Sequence, residues 1–304
     1  YFCCTMDLPD CLWTKALVFS RATLSLRRVC RELRRQVSGV PQLLHLKKEA
    51  GDSELGLTTE AFRSVQTAVL RKCLNLSDAA VAAAVSVWSP TLLFMDLSFV
   101  PITDACALTV AERCRSLRGI SLTGTSVTSH GLTTVARQCK ALAVLDMCVL
   151  DGICDDTLKV LAEMCEERLL SLSLAQSDID SPAVASGVLA LARKCPNLRY
   201  LDLSYRSYDS NTLQILAVNC PGIRVLHVAQ CECVDDAAIV SVAQHCRDLE
   251  SLVATCCTNI GDEALRALTS CDLLERLLLW GCIGLTDSGL HALVGCKQLK
   301  ELNV

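Results

Sequence analysis

Cys246-Arg-Asp-Leu249-Glu-Ser-Leu252-Val-Ala254, followed by a short turn and Ile260-Gly-Asp-Glu-Ala-Leu265-Arg-Ala-Leu268, carries the plan of the whole chain. Leu252 and Ala254 alternate with Ser251 and Val253, the period of a strand that buries one face, while Leu265 and Leu268 have the spacing of an apolar helix face. The strand pattern, Leu-x-x-Leu-x-Leu or a close variant, returns ten times at intervals of 25 to 29 residues, from Val65/Ala68/Leu70 to Leu299/Leu302/Val304. A Cys usually closes the helix before it, as in Cys195-Pro-Asn-Leu198 and Cys220-Pro-Gly-Ile223.

Units of that period cannot bury their apolar side alone. Burying a Leu-sized side chain stabilises by roughly 1.5–3 kcal/mol, and each ordered residue costs about 1–2 kcal/mol of entropy, so one unit stays marginal and stacking decides. The expected fold is therefore α/β: a right-handed leucine-rich-repeat solenoid, a horseshoe with a parallel concave sheet and convex helices. About ten repeats are expected over residues 47–304, the last truncated at Val304. A start at Tyr1 without Met and a stop on a strand point to a fragment. The fifth repeat is longer, and Ser177-Asp-Ile-Asp-Ser-Pro182 with Gly187 predicts an irregular outer loop.

The 304 residues are 51% hydrophobic, enough for a continuous core and too much for a disordered chain. The net charge of −4 is spread over 33 acidic and 29 basic residues without a long run of one sign, which gives no footprint for nucleic acid or an anionic membrane. The most apolar stretch, Ala79 to Trp88, is about half a membrane span, and no signal-type segment opens the chain. The expectation is a soluble intracellular protein, cytoplasmic with the nucleus as second compartment.

Twenty-one cysteines raise the question of disulfides or metal, and their spacing answers it. Cys114, Cys139, Cys165, Cys195, Cys220, Cys246, Cys271 and Cys296 each end a helix, and Cys73, Cys231, Cys257 and Cys282 fall three residues after the last apolar strand position. Both sets belong to buried turns, where a thiol packs like a hydrophobe and can offer a weak hydrogen bond to a stacked carbonyl. No Cys-x-x-Cys occurs, so reduced structural thiols are expected and no metal site. Steps such as Thr103-Asp104, Gly261-Asp262 and Thr286-Asp287 mark helix starts, where Asp, Ser or Thr can cap an orphan N–H.

The first 46 residues do not carry the repeat. Leu8-Pro9 followed by Leu12, then Leu24/Leu26, Val29-Cys30-Arg31-x-Leu33-Arg34-Arg35 and Pro41-x-Leu43-Leu44 have helical spacing and resemble an F-box. With the Cys-rich repeats behind it, the chain resembles the F-box and leucine-rich-repeat proteins of the cysteine-containing subclass. The resemblance implies a slightly shortened helical F-box domain at 1–46 and the role of substrate receptor in an SCF-type cullin-RING ubiquitin ligase. The F-box would dock on a Skp-type adaptor through Leu8, Pro9, Leu12, Leu17, Leu24, Val29, Cys30 and Leu43, and the solenoid would hold a protein substrate. The other reading of the same residues is a scaffold or inhibitor whose amino-terminal helices only cap the solenoid.

On each strand the residues between the inward leucines face the concave side. Toward the carboxyl end these rows bring Tyr200, His227, Val253, Arg276, Leu278 and Trp280 into an aromatic and apolar patch with one guanidinium, the composition favoured at binding hot spots. These six are the candidate substrate contacts, and the loop Tyr205-Arg-Ser-Tyr208 extends the patch. Asp96, Asp146 and Asp202 are expected to solvate the face or cap a neighbouring strand. No glycine-rich phosphate loop, Gly-x-Ser-x-Gly elbow or His-Glu-x-x-His motif is present, so no catalytic residue and no cofactor are expected.

Overall fold

The computed structural model describes residues 43–175, 185–206 and 208–304. Among them, eleven three-residue strands form one parallel sheet whose spatial order follows the chain. They are β1 (Leu43–His45), β2 (Thr67–Val69), β3 (Phe94–Asp96), β4 (Gly119–Ser121), β5 (Val144–Asp146), β6 (Ser171–Ser173), β7 (Tyr200–Asp202), β8 (Val225–His227), β9 (Ser251–Val253), β10 (Arg276–Leu278) and β11 (Glu301–Asn303). The connecting helices are α1 (Asp52–Ala61), α2 (Asp78–Trp88), α3 (Asp104–Arg113), α4 (Ser129–Gln138), α5 (Asp155–Cys165), α6 (Ala185–Lys194), α7 (Ser210–Asn219), α8 (Asp236–His245), α9 (Asp262–Leu268) and α10 (Asp287–Ala292). This is the α/β solenoid that the repeat period implies.

Register is constant from strand to strand. The central residues, such as Ala68, Met95, Ile120 and Leu145, pair each with the next and are all but fully buried between sheet and helices. They join the inward leucines and the helix faces in one core that runs the length of the described chain.

The sheet begins earlier than the repeat motif suggests. Leu43–His45 pairs with Thr67–Val69, and the Leu46 N–H donates to the Val69 carbonyl at 3.1 Å, so a strand stands inside the 1–46 segment read as helical. Leu44-His45-Leu46 repeats only the second half of the strand motif, without the Cys-led approach that marks most of the others. The other adaptor-contact candidates, Leu8, Pro9, Leu12, Leu17, Leu24, Val29 and Cys30, lie outside the described residues, as does the outer loop of the fifth repeat at 177–182.

Side chains tie successive repeats together in two directions. Thiols reach back: Cys139 Sγ donates to the Cys114 carbonyl at 3.3 Å, Cys220 to Cys195 at 3.4 Å, Cys73 to Lys47 at 3.2 Å and Cys257 to Val228 at 3.1 Å. Burial pushes the Cys139, Cys220 and Cys257 thiols up to about 12, so they keep the proton they donate.

Carboxylates reach forward. The first helical residue of α1, Asp52, accepts from the Ser77 N–H (2.8 Å) and hydroxyl (2.6 Å) at the cap of α2. Asp78 and Asp104 hold Thr103 and Thr128 in the same way, and Asp262 holds Thr286. Thr103, Thr128 and Thr286 also cap their own helices. The expected Thr-Asp step is thus two devices, a cap by the Thr and a tether by the Asp.

Three residues after the ends of β2 to β5 and β7 to β10 stands a residue in the left-handed region, Lys72, Phe99, Gly124, Val149, Tyr205, Gln230, Cys256 and Gly281, with φ between 52° and 80°. The N–H groups of Lys72, Phe99, Gly124, Val149, Tyr205, Gln230 and Cys256 donate to the next repeat, as Phe99 does to the Thr123 carbonyl and Gly124 to that of Cys148.

Two predictions follow from these ties. At Gly124 a Cβ would lie 2.6 Å from the Phe99 ring at a φ of +62°, so Gly124→Ala should destabilise by at least the about 1–2 kcal/mol of the left-handed conformation alone, measured by urea denaturation. Hydrogen bonds from the Ser77 hydroxyl and N–H hold the Asp52 carboxyl below its ordinary 3.8, and those from Thr286 do the same for Asp262. A depressed carboxyl contributes stability that is present above 3.8 and lost as pH falls through the folded value below it. The urea midpoint should therefore drop on acidification below pH 3.8, and less steeply in the Asp52→Asn/Asp262→Asn double variant.

Candidate partner-binding face

The first and third residue of each strand, with the residue two positions further on, form three rows across the concave side. Over β3 to β8 these rows are an interior rather than a surface. Phe94 lies on β3 and packs with Ala143 and Val144 across β4, where Gly119 carries no side chain to intervene. The third-position aspartates are buried, Asp96 being 1% exposed, and each turns back on its own chain. Asp96 Oδ1 accepts from the Ser98 N–H and lies 2.5 Å from its hydroxyl, Asp202 Oδ1 accepts from the Ser204 N–H at 3.0 Å, and Asp146 Oδ1 from the Cys148 N–H at 3.3 Å. They do not solvate the face, the first of the two roles expected of them; they close the turn after the strand, an Asx-type role, and Asp146 also takes the second, accepting from Ser121 and Thr123 of the neighbouring repeat.

Bonds between repeats join these turns into a polar ladder. Ser98 Oγ lies 2.8 Å from Ser121 Oγ, Ser121 donates to Asp146 Oδ2 at 3.0 Å, Thr123 donates to Asp146 Oδ1 at 2.7 Å, and Cys148 Sγ meets Ser173 Oγ at 2.8 Å. The signal for it was present as Asp-Leu-Ser at 96–98 and 202–204 and Asp-Met-Cys at 146–148.

The six candidate contacts come together on four adjacent strands, and they divide by exposure. Tyr200 is 2% and His227 8% exposed. The Tyr200 hydroxyl lies 3.2 Å from His227 Nδ1 and 3.4 Å from Asp202 Oδ2, with the rings edge to face at 5.3 Å. Burial works against ionisation of Asp202, yet the imidazole 3.6 Å away and the Ser204 N–H outweigh it and hold the carboxyl below its ordinary range. Tyr200 and His227 are therefore interior members of a hydrogen-bonded cluster.

Val253, Arg276 and Leu278 are half-buried and Trp280 is 52% exposed, so the accessible part of the patch is confined to β9 and β10. Val253 pairs directly with Leu278, and Arg276 Nε lies 2.8 Å from Glu301 Oε2. In the loop at 205–208, Arg206 and Tyr208 are buried, with Arg206 Nε donating to the Leu174 carbonyl at 2.7 Å, so these two side chains anchor inward and do not extend the patch, while Tyr205 is half-buried and Ser207 lies outside the described residues.

Just before the strands, Arg224 pairs with Glu250 at 3.0 Å and with Asp248 at 3.3 Å, and Lys300 with Glu275 at 2.8 Å. These charges bound the face on one side. Among the described residues no three His, Cys, Asp or Glu side chains converge as a metal set would, and no helix is long and apolar enough to cross a membrane.

No family model matches the sequence. Solved structures with a similar shape include an internalin F from Listeria monocytogenes, at 17% identity and a TM-score of 0.55 over 83% of this chain. This chain spans 63% of the length of that one. An internalin C2 from the same organism aligns at 16% identity and a TM-score of 0.52 over 73% of this chain and 83% of its own. The Rad7 and Elc1 complex in yeast aligns at 15% identity and a TM-score of 0.48 over 90% of this chain and 80% of its own. The likeness to the internalins is one of fold.

Because Tyr200 is interior and Trp280 is not, their truncations should behave differently. Tyr200→Ala should cost about 3–5 kcal/mol of stability, the range for emptying a buried aromatic site. Trp280→Ala should stay within about 0.5 kcal/mol of wild type, as surface substitutions do. Urea unfolding of the two variants checks both.

Proposed function

We propose that this chain is the substrate-recognition subunit of an SCF-type cullin-RING ubiquitin ligase, its amino-terminal segment binding a Skp-type adaptor and its concave face binding a protein marked for ubiquitin-dependent degradation. The observation that carries the binding half is the accessible rim at β9 and β10, where half-buried Val253, Arg276 and Leu278 and exposed Trp280 stand on adjacent strands. Trp and Arg beside apolar neighbours are the residues that dominate protein–protein hot spots. The ligase half rests on the F-box resemblance of residues 8–43, of which Leu43 stands on β1 with nearly half its surface open to solvent.

In this role the chain does no covalent chemistry. It holds a substrate near a charged ubiquitin carrier, and the rate gain comes from proximity. A solenoid suits that task because its sheet is held rigidly while single rows can vary.

Affinity capture from cells separates this reading from a scaffold with a helical cap. Leu8→Asp/Leu12→Asp should abolish recovery of the Skp-type adaptor while leaving intact the set of proteins crosslinked from a photoreactive residue at position 253. Trp280→Ala should leave adaptor recovery unchanged and lower crosslinking by at least tenfold, corresponding to about 1.4 kcal/mol or more at a hot spot. Failure of the wild-type chain to recover the adaptor, or equal recovery by the Leu8/Leu12 variant, overturns the ligase reading.

A further inference from the structure

Two buried carboxyl groups on the concave side are joined through two serines by three oxygen–oxygen contacts. Asp96 Oδ1 lies 2.5 Å from Ser98 Oγ, Ser98 Oγ 2.8 Å from Ser121 Oγ, and Ser121 Oγ 3.0 Å from Asp146 Oδ2. At such separations each contact is a hydrogen bond and needs one proton. The serines supply one proton each. With both carboxyls ionised, three contacts share two protons, and one pair of oxygens faces without a hydrogen between them. A third proton completes the chain.

The surroundings decide which carboxyl carries it. Asp146 receives donors on both oxygens, Ser121 on Oδ2 and both Thr123 (2.7 Å) and the Cys148 N–H (3.3 Å) on Oδ1, so neither oxygen is left bare. Asp96 makes its contacts through Oδ1 alone, with the Ser98 N–H and hydroxyl, while Oδ2 is buried with no hydrogen-bond partner. A bare buried oxygen costs far less on a neutral acid than on a carboxylate.

The titratable groups facing Asp96 are Arg71 and Cys73 after β2 and Asp146 on β5. Burial pushes the Cys73 thiol up to about 11, so it brings no charge. Burial also raises the Asp96 carboxyl, the charge on Asp146 adds to this, and Ser98 and Arg71 oppose it without prevailing.

We propose that Asp96 is a neutral carboxylic acid at neutral pH, donating to Ser98 so that protons run in order along Asp96, Ser98, Ser121 and Asp146 and couple the packing of β3, β4 and β5 to pH. Loss of that proton leaves one contact of the chain without a hydrogen, and two of the three contacts cross from one repeat to the next. The sign follows from linkage. The folded state holds a proton that the unfolded chain releases above 3.8, so this group's contribution to stability declines as pH rises from 3.8 through the folded value.

Infrared spectroscopy of the whole chain tests the assignment. At neutral pH ordinary carboxyls are ionised, so a carbonyl stretch of a protonated acid should be present in the wild type, lost in Asp96→Asn and retained in Asp146→Asn. In urea titrations the wild-type midpoint should fall relative to Asp96→Asn as pH is raised from 4 to 8. Absence of the band from wild type overturns the proposal without reference to any variant. So does its loss in Asp146→Asn with retention in Asp96→Asn, or a midpoint difference that does not change with pH.

Discussion

A three-residue parallel strand satisfies none of its own backbone groups, and every N–H and C=O it turns sideways must be met by the strand on either side. That requirement fixes the register of each repeat on the one before. It also explains why a left-handed residue recurs after the strands even where no glycine is available. Phe99 and Val149 hold φ of 58° and 52°, conformations that cost an L-residue about 1–2 kcal/mol. Leaving that conformation would strand their N–H groups, now bonded to Thr123 and Ala175 at 2.8 and 2.9 Å, and an unmet buried donor costs about 1–3 kcal/mol. The two magnitudes are comparable, and the sheet on either side tips the balance toward the strained turn.

The side-chain ties obey the same rule in opposite senses. A thiol donates backward to a helix-end or turn carbonyl and a carboxylate accepts forward from the next cap, so neither competes for the other's partner. Where the Ser or Thr cap is missing, a local substitute serves. The α5 cap, Cys154, makes no capping bond through its side chain, and there Thr157 donates to Ser129 Oγ at 2.9 Å while Ser129 donates to the Gly152 carbonyl at 3.1 Å. The forward tether of α5 still forms, with Asp155 bound by Ser186 and by the Gly187 N–H at 2.7 Å.

The solenoid, its central strand residues and the roles of Cys73, Cys139, Cys220 and Cys257 were legible because each is a period-locked signal, and ten copies outweigh any local ambiguity. β1 was not, because Leu44-His45-Leu46 holds only half a motif and sits beside residues that resemble an F-box. The accessibility of the concave rows was not legible either. Alternation tells which way Tyr200 and His227 point, but whether they meet solvent depends on partners contributed by other repeats, as the Tyr200–Asp202–His227 cluster shows. Of the two roles expected for the Asp residues, solvating the face fails for the same reason: Leu-Asp-Leu describes a strand, and the Ser two positions after Asp96 and Asp202 is what turns the carboxyl group inward.

That inward turn has a consequence for recognition. Along β3 to β8 the third strand position is Asp, Ser or His, and these groups spend their hydrogen-bonding capacity on one another, which stiffens the sheet and leaves little to offer a partner. At β9 and β10 the same position becomes Val253 and Leu278, and two residues beyond the latter stands Trp280 where β3 to β9 have Ser, Thr, Cys or Ala. Apolar side chains have no internal polar partner to satisfy and keep their surface available for burial against another protein. The change from a self-satisfied polar column to an apolar one is thus what moves the accessible face to the carboxyl-terminal repeats, while the polar column behind it supplies the fixed geometry on which those side chains are held.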